Sequence, residues 1–339
     1  MRLIKTEDAV GHVLCHDMTQ IIKDQYKDAR FRKGHVVTKE DIPVLLSMGK
    51  EHLYVWEMTS GMVHENDAAE RLLALCGQEN MIRSGVKEGK IELKAACDGV
   101  FLVDSARLVA VNSQDEVMIA THKGGMAVRE GDKLAGMRVI PLIIEEEKLR
   151  KAEQAAGDEP LLSLKPYVRK TACIVATGGE VKKGLIKDTF TPVVIDKLKT
   201  YGIETLEVVY SGDGVENVRD AVLTMREKKP DMILCTGGMS VDPDDNTPGG
   251  IKAAGANIIA YGAPVLPGAM FLLGYFDDGM PVMGLPGCVM YAGATVFDLV
   301  LPKIAADVPV TRADLAALGE GGLCLGCKPC HYPICPFGK

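Results

Sequence analysis

From Ala172 to Ile304 the chain repeats one pattern, in which a short apolar run is followed by a turn and then by apolar residues at helical spacing. Ala172–Ala176 is apolar throughout and runs into Thr177-Gly178-Gly179. Thr191-Pro192 opens a helix carrying Val194, Ile195, Leu198 and Tyr201, with Gly202 as its stop. Thr205–Tyr210 is a second strand, Val218, Ala221, Val222 and Met225 mark a helix that ends before Pro230, and Asp231–Cys235 is a third strand running into Thr236-Gly237-Gly238. Further strands are expected at Asn257–Ala260, Phe271–Tyr275 and Pro281–Leu285, and a closing helix at about Val289–Ile304. Strand–helix alternation with short links implies a parallel sheet with right-handed crossovers. The pattern therefore predicts an α/β fold, with a three-layer α/β/α domain and a mostly parallel sheet over 168–305.

The chain before this domain is patterned differently. Residues 1–58 read as a small α+β module, with apolar runs at Val10–Leu14, Gln20–Ile22 and His52–Trp56 and a short helix capped by Thr38 and stopped by Gly49. Residues 59–150 read as a β-rich module. A helix through Ala68, Leu72, Leu73 and Leu75 opens it, and β-like pieces follow at Lys90–Ala95, Gly99–Val103, Leu108–Asn112, Glu116–His122 and Arg138–Ile144. The charge run Glu145–Lys151 reads as a solvated helical connector with Glu146–Arg150 and Glu147–Lys151 pairs, broken by Gly157-Asp158-Glu159-Pro160. Residues 319–339 form a cysteine-rich tail.

Composition narrows the class. At 339 residues the chain is too long for one ordinary core. With 39 basic against 46 acidic residues its net charge is −7, so no global field recruits nucleic acid or an anionic membrane. No apolar stretch is long enough to span a bilayer, and the first residues lack the apolar core of an export signal, so the chain reads as cytoplasmic. An anionic ligand must then be held by local groups.

Three glycine-bearing loops fall at strand ends, where open parallel sheets bind ligands: Thr177-Gly178-Gly179-Glu180, Thr236-Gly237-Gly238-Met239-Ser240 and Gly284-Leu285-Pro286-Gly287. Glycine lets backbone N–H groups approach a phosphate, and Thr236 and Ser240 add hydroxyls. Steric need alone would also place glycine there. Neither the P-loop pattern nor the dinucleotide glycine spacing occurs. The loops are instead rich in carboxylates, with Glu180, Asp213, Asp242, Asp244 and Asp245, which suits Mg²⁺ shared with a substrate phosphate. A solvated loop with an Asp capping a helix is the plainer alternative.

These residues resemble a known family. Thr236-Gly237-Gly238-Met239-Ser240-Val241 followed by Asp245-Asn246-Thr247-Pro248 is similar to the T-G-G-x-[SG]-x₄-₅-D-x-T segment of molybdopterin-binding proteins, among them molybdopterin adenylyltransferase and molybdopterin molybdenumtransferase. Thr177-Gly178-Gly179-Glu180-Val181 resembles the family's T-G-D-E-[LV], with Gly179 in place of the Asp, and Gly184 and Asp188 fit the following segment. Gly284-Leu285-Pro286-Gly287 matches the start of the transferase's G-L-P-G-N-P, with Cys288 and Val289 in place of Asn-Pro. The resemblance implies Asp245 and Glu180 as catalytic carboxylates. It implies Thr177, Gly178, Gly179, Asp188, Asp213, Thr236, Gly237, Gly238, Ser240, Thr247, Pro286 and Gly287 as residues that hold molybdopterin or its adenylate. Gly11-His12-Val13-Leu14 before Asp17, and Phe31-x-Lys33-Gly34, faintly resemble the molybdenumtransferase, but its D-G-[YF]-A segment is missing.

The tail carries a separate signal, Cys324-x₂-Cys327-x₂-Cys330-x₄-Cys335-Pro336. The spacing is close to a ferredoxin run with one extra residue and more compact than paired zinc knuckles, so an iron–sulfur cluster or, second, Zn²⁺ is expected on these four cysteines. Gly319–Gly322 suggests a flexible appendage. The functional expectation is adenylyltransferase- or molybdenumtransferase-like chemistry in molybdenum-cofactor biosynthesis, acting as a homo-oligomer. The alternative is a non-catalytic carrier that delivers the cofactor to an apo-molybdoenzyme or hands it to another protein of the same biosynthesis. A nicotinamide-nucleotide hydrolase built on the same domain is a third reading, disfavoured because its companion domain is not recognisable.

Overall fold

A computed structural model describes residues 2–22, 26–55, 61–240 and 245–339. The chain divides into two compact units. One comprises Met1–Cys97, Phe101–Gly124 and Arg129–Leu164, the other Asp98–Val100, Gly125–Val128 and Lys165–Lys339.

In the second unit we number the strands β1 (Thr171–Thr177), β2 (Glu204–Ser211), β3 (Met232–Thr236), β4 (Asn257–Tyr261), β5 (Leu272–Tyr275) and β6 (Pro281–Leu285). The helices are α1 (Phe190–Lys199), α2 (Val215–Glu227), α3 (Thr247–Ala253), α4 (Val296–Ala305) and α5 (Arg312–Ala317). The six strands lie in the order β2-β1-β3-β6-β5-β4. The pairs β2–β1, β1–β3 and β3–β6 are parallel, whereas β5 runs antiparallel to β6 and β4 antiparallel to β5. Alternation along the central strands splits the core into two layers. Ala172, Ile174, Met232, Leu234 and Met283 pack with Val194 and Leu198 of α1 and with Phe297, Val300 and Ile304 of α4. The alternate residues Cys173, Val175, Ile233, Cys235 and Val282 pack with Val218, Val222 and Met225 of α2 and Ile251 of α3. Covered on both faces, β1, β3 and β6 are near-continuous apolar runs, which is why their pattern was strong in the sequence. The fold of this unit is the three-layer α/β/α arrangement expected, with β5 alone running against the other strands.

The first unit holds an antiparallel four-stranded sheet, in the order Met81–Arg83, Ile91–Ala95, Lys133–Val139, Val117–Thr121. Ahead of it, Arg2–Lys5 pairs antiparallel with His52–Val55, and Leu14, Phe31, Leu45 and Leu53 are buried in one small core. Several readings change here. Leu108–Asn112, expected as β-like, lies in a helix, Ser105–Asn112, because the Asp104 carboxylate caps its start by accepting from Arg107 N–H (3.0 Å). The short early helix begins at Asp41, and Thr38 does not cap it. The Asp41 carboxylate instead reaches back to accept from Thr38 N–H (2.8 Å) and Thr38 O–H (2.9 Å). The charge run is more than a connector. Its helix, Glu146–Ala156, buries Leu149, Ala152 and Ala156, and Glu153 takes both Arg71 donors (2.7 and 2.8 Å). Charged letters dominated the reading, but every third or fourth position is apolar. Trp56 lies outside the described residues.

The tail is packed, not a free appendage. Leu266 N–H donates to Gly322 O and Cys324 N–H to Leu266 O, both at 2.8 Å, while Phe337 is buried in the core beneath α4. Gly322 permits this approach, since a Cβ there would meet Leu318 O at 2.3 Å. Among the described residues no helix is long and apolar enough to cross a membrane.

Candidate functional site

Parallel pairing sets the site's frame. Register places Thr236 beside both Ala176 and Leu285, and Thr177 beside Ser211. The loops after β1, β3 and β6 therefore leave one edge of the sheet, together with the turn after β2.

Hydroxyls tie two of these loops to α3. Thr177 Oγ1 donates to Thr236 O (2.9 Å) and Thr247 Oγ1 donates to Gly237 O (2.9 Å), while Thr247 N–H reaches Gly238 O (3.2 Å). The two hydroxyl oxygens are themselves 3.2 Å apart. Each hydroxyl has one proton, so that contact competes with the two carbonyl bonds. Thr177, Thr236 and Thr247 are all buried. Packing is equally tight around the glycines. A Cβ at Gly237 would stand 2.5 Å from Thr177 O, and one at Gly238 2.6 Å from Thr247 Oγ1; both residues also have positive φ, 81° and 57°. Steric necessity thus accounts for these two glycines whatever the loop binds.

The carboxylates stand around this neutral centre. Asp245 Oδ2 accepts from Ser240 N–H (2.7 Å), closing the loop that leaves β3. Asp242 and Asp244 lie outside the described residues. Asp213 Oδ2 accepts from Gly179 N–H (3.0 Å), and a Cβ at Gly179 would sit 2.7 Å from that oxygen. The space an acidic side chain at 179 would enter is thus already occupied by Asp213. Glu180 is exposed on the one-turn helix Gly179–Lys182.

Asp188 is half-buried before α1, where its Oδ1 accepts from Phe190 N–H (2.9 Å) and Thr191 N–H (3.0 Å). Burial pushes the carboxyl up. Hydrogen bonding around Thr191, from Phe190 N–H and toward Tyr210 outweighs this and holds it below the usual carboxylate range. Its Oδ2 and the Thr191 hydroxyl are buried without a hydrogen bond of ordinary geometry. After β6, Pro286 is buried, Gly287 is exposed, and burial pushes the Cys288 thiol up.

Tyr261, absent from the sequence-derived set, belongs here. Its O–H donates to Met239 O (2.9 Å) and lies 3.4 Å from Ser240 O, and burial plus the Asp245 charge raise its pKa. The signal for it was slight: the sequence ends that strand at Ala260, one residue short.

The four tail cysteines are free thiols that line one cavity of about 270 Å³ with Ala294, Tyr332 and Phe337. Among the described residues no three His, Cys, Asp or Glu side chains are already set around a common metal position. A larger cleft, of about 1050 Å³, lies in the first unit and is lined by His16, Arg32, Lys33, Glu65, Glu88 and Arg138 among others. Its charges come from segments scattered over more than a hundred residues, so no local motif announced it.

Comparison with known proteins separates the chain into two recognised stretches. Residues 173–306 match the family model described as "Probable molybdopterin binding domain", and residues 3–57 match one described as a domain of unknown function. A CinA-like protein of Mycobacterium tuberculosis (strain ATCC 25177 / H37Ra) is 32% identical over 80 residues, 24% of this chain and 19% of its own length. A CinA-like protein of Petrotoga mobilis is 32% identical over 76 residues, 22% of this chain and again 19% of its own. The chain thus matches about a fifth of the length of these curated relatives. Among solved structures, the molybdopterin biosynthesis enzyme MoaB of Thermus thermophilus is 16% identical, covering 42% of this chain and 98% of its own, with a TM-score of 0.36. A molybdenum cofactor biosynthesis protein of Pyrococcus furiosus is 13% identical, covering 93% and 64%, with a TM-score of 0.27. Likeness at that level says nothing of ligand or reaction. The family match and the sheet-edge geometry concern the same residues: the stretch 173–306, which carries the glycine loops, is the one similar to the family described as "Probable molybdopterin binding domain".

Proposed function

We propose that the edge formed by the loops after β1, β3 and β6 binds molybdopterin or its adenylate, and that the chain acts in molybdenum-cofactor biosynthesis with adenylyltransferase- or molybdenumtransferase-like chemistry at that edge. The observation that carries this reading is the Thr177–Thr236–Thr247 network. It fixes the Thr-Gly-Gly loop at the sheet edge in the stretch matched by the family model, and it does so with groups that carry no net charge. A preorganised neutral cradle can receive an anionic phosphate without opposing it, and it needs no reorganisation as charge develops there.

Among the described residues Asp245 is held by Ser240 N–H through one oxygen, and the other suits a cation or a water. Mg²⁺ is usually held by one or two carboxylates plus substrate phosphates and waters, not by a full protein cage. Asp245 at the loop and Asp188, whose Oδ2 is buried without a hydrogen bond of ordinary geometry, are donors of that kind, and Mg²⁺ bound there would neutralise phosphate charge. Glu180 and Asp213 complete the acidic rim. The Gly179 position needs no carboxylate of its own, because Asp213 supplies one beside it. In the tail, the four cysteines hold an iron–sulfur cluster or Zn²⁺, soft thiolate donors being suited to both.

Anaerobic purification, followed by oxidative release of bound pterin as a fluorescent product, tests the ligand. A pterin in near-stoichiometric amount supports the reading, and its phosphate or AMP content indicates the step. A chain that neither retains nor takes up molybdopterin overturns it. Asp245→Asn is expected to keep the pterin and lose turnover by about 10²-fold or more. The carrier reading is favoured instead if the natural chain binds pterin, passes it to an apo-molybdoenzyme and shows no turnover.

A further inference from the structure

The cavity that gathers the four tail cysteines shares its wall with the segment that leaves the Gly-Leu-Pro-Gly loop. After that loop come a single 3-10 turn, Gly287–Met290, then Tyr291 to Ala294, and then α4. Ala294 lines the cysteine cavity directly. Cys330 lies against Gly293 so closely that a Cβ there would stand 2.8 Å from its Sγ. Beyond it, Tyr332 O–H donates to Asp298 O (3.0 Å), and the Asp298 carboxylate accepts from Thr295 N–H (2.8 Å) and pairs with Lys197 of α1. On the other side of the turn, Thr189 Oγ1 donates to Met290 Sδ (3.1 Å). Residues 287–298 are thus held between the tail and the start of α1, the stretch that also carries Asp188.

Four thiols round one small, largely apolar cavity are poorly explained as core filling. Cys327 and Cys330 are exposed at its mouth, while Cys324 and Cys335 are half-buried and packed against the main core. Thiolates become stable in such a place when a soft cation neutralises them, and binding then releases their protons. No three of these side chains are yet set round a common point, so loading must draw them together. Closure would act on the 287–294 backbone where Cys330 already lies against Gly293 and Ala294 lines the cavity.

We infer that the four tail cysteines form a metal–thiolate clamp whose loading fixes the 287–294 segment at the rim of the pterin site. The inference rests on the metal reading of the tail given above and adds that the metal acts on the site-bearing segment.

The full chain is prepared anaerobically in chelator-stripped form and reconstituted in parallel with Fe²⁺ and sulfide or with Zn²⁺. Metal per chain and hydrogen exchange of 287–296 are then measured. Loading is expected to raise the protection of 287–296 on the order of tenfold, with α2, which packs on the opposite face of the sheet, unchanged. Cys327→Ser with Cys330→Ser should abolish both metal and the gain. Because that double variant could unfold the tail, Tyr332→Phe supplies a second test. It keeps every thiol and deletes only the bond to Asp298 O, so metal per chain should stay at the natural level while the gain in protection falls. Full metal occupancy with no change in 287–296 overturns the clamp and leaves the tail metal standing. Failure of the natural chain to bind metal in either reconstitution overturns both.

Discussion

The second unit builds its candidate site from neutral groups, whereas a broad cleft in the first unit is built from charges. At the sheet edge, the side chains of Thr177 and Thr247 and the loop carbonyls do the positioning, and carboxylates stand round them. In the first unit's cleft, Arg32, Lys33 and Arg138 face Glu65 and Glu88, with His16 and His64 close by. A neutral network tolerates changes of pH and salt but not of shape, because its bonds are short and its glycines have no room. A charged cleft tolerates small changes of shape but responds to pH. The two regions should therefore fail under different insults.

The sharpest test of that contrast is shape at the sheet edge. Gly237→Ala forces a methyl to 2.5 Å from Thr177 O at a φ of 81° and is expected to cost about 3 kcal/mol, read as a lower denaturation midpoint of the second unit. A loss under about 1 kcal/mol would show the edge to be pliant and remove half of the comparison. Thr177→Val comes next. It keeps the volume, deletes the bond to Thr236 O and leaves that buried carbonyl short of a partner, at a cost of about 1–3 kcal/mol. A double-mutant cycle with Thr247→Val should show coupling, since the two hydroxyls sit 3.2 Å apart. Strict additivity would mean that they act separately.

How much of this was legible follows from where each signal resides. Residues 172–285 were readable because doubly covered strands must be apolar along their whole length and their loops fall at fixed points between them. Thr236-Gly237-Gly238 and Asp245 could be found because they belong to one contiguous stretch. Tyr261 and the Asp213–Gly179 pairing could not, because both depend on which strands become neighbours. Ser105–Asn112 misled for another reason: Leu108 to Val111 are all apolar with two valines, and the helix rests on a cap at Asp104 and a single buried residue, Val111. The tail's packing was hidden because Phe337 and Tyr332 contribute little to any periodic pattern yet reach the main core. The charged cleft was the least legible feature, assembled as it is from distant segments.

A smaller effect probes the first unit's tolerance of shape. Arg71 makes a two-pronged contact with Glu153 and lies 3.7 Å from Glu146, all three side chains being partly exposed. Solvent screens such a pair, so Arg71→Ala is expected to cost only about 1 kcal/mol, and much of that through the packing of its stem. The effect on denaturation should weaken at high salt. A loss as large as that of Gly237→Ala would place shape, not charge, at the centre of both units.

The smallest effect, and the one most particular to the charged unit, is its response to mild acid. His64 is buried, with Nε2 2.7 Å from Cys15 O, while Nδ1 takes Asn66 N–H at 3.1 Å and lies 2.8 Å from Lys33 Nζ. The neutral ring with its proton on Nε2 satisfies this arrangement, whereas a proton on Nδ1 would face two donors. Burial lowers the His64 pKa and the Lys33 charge lowers it further, against the Cys15 carbonyl and Asp67, and burial together with Lys50 lowers that of His16. A folded value below the unfolded 6.5 means that the stability from neutral rings is present above pH 6.5 and is lost as pH falls toward the folded values. Glu65 works in the opposite sense. Burial raises its pKa, so it adds stability as pH falls through that raised value and offsets part of the histidine loss. Taking the chain from pH 7.5 to 5.5 should therefore lower the unfolding midpoint of the first unit modestly, followed by hydrogen exchange of its four-stranded sheet. His64→Gln should flatten the loss, and Glu65→Gln should remove the gain that appears as pH falls through the raised Glu65 value toward 4.5. The second unit should hold steady until pH falls below the ordinary carboxylate value of 3.8, where Asp188, whose folded pKa is depressed, begins to give up its contribution. Equal pH responses in the two units would show that the division between a neutral and a charged region has no consequence for stability.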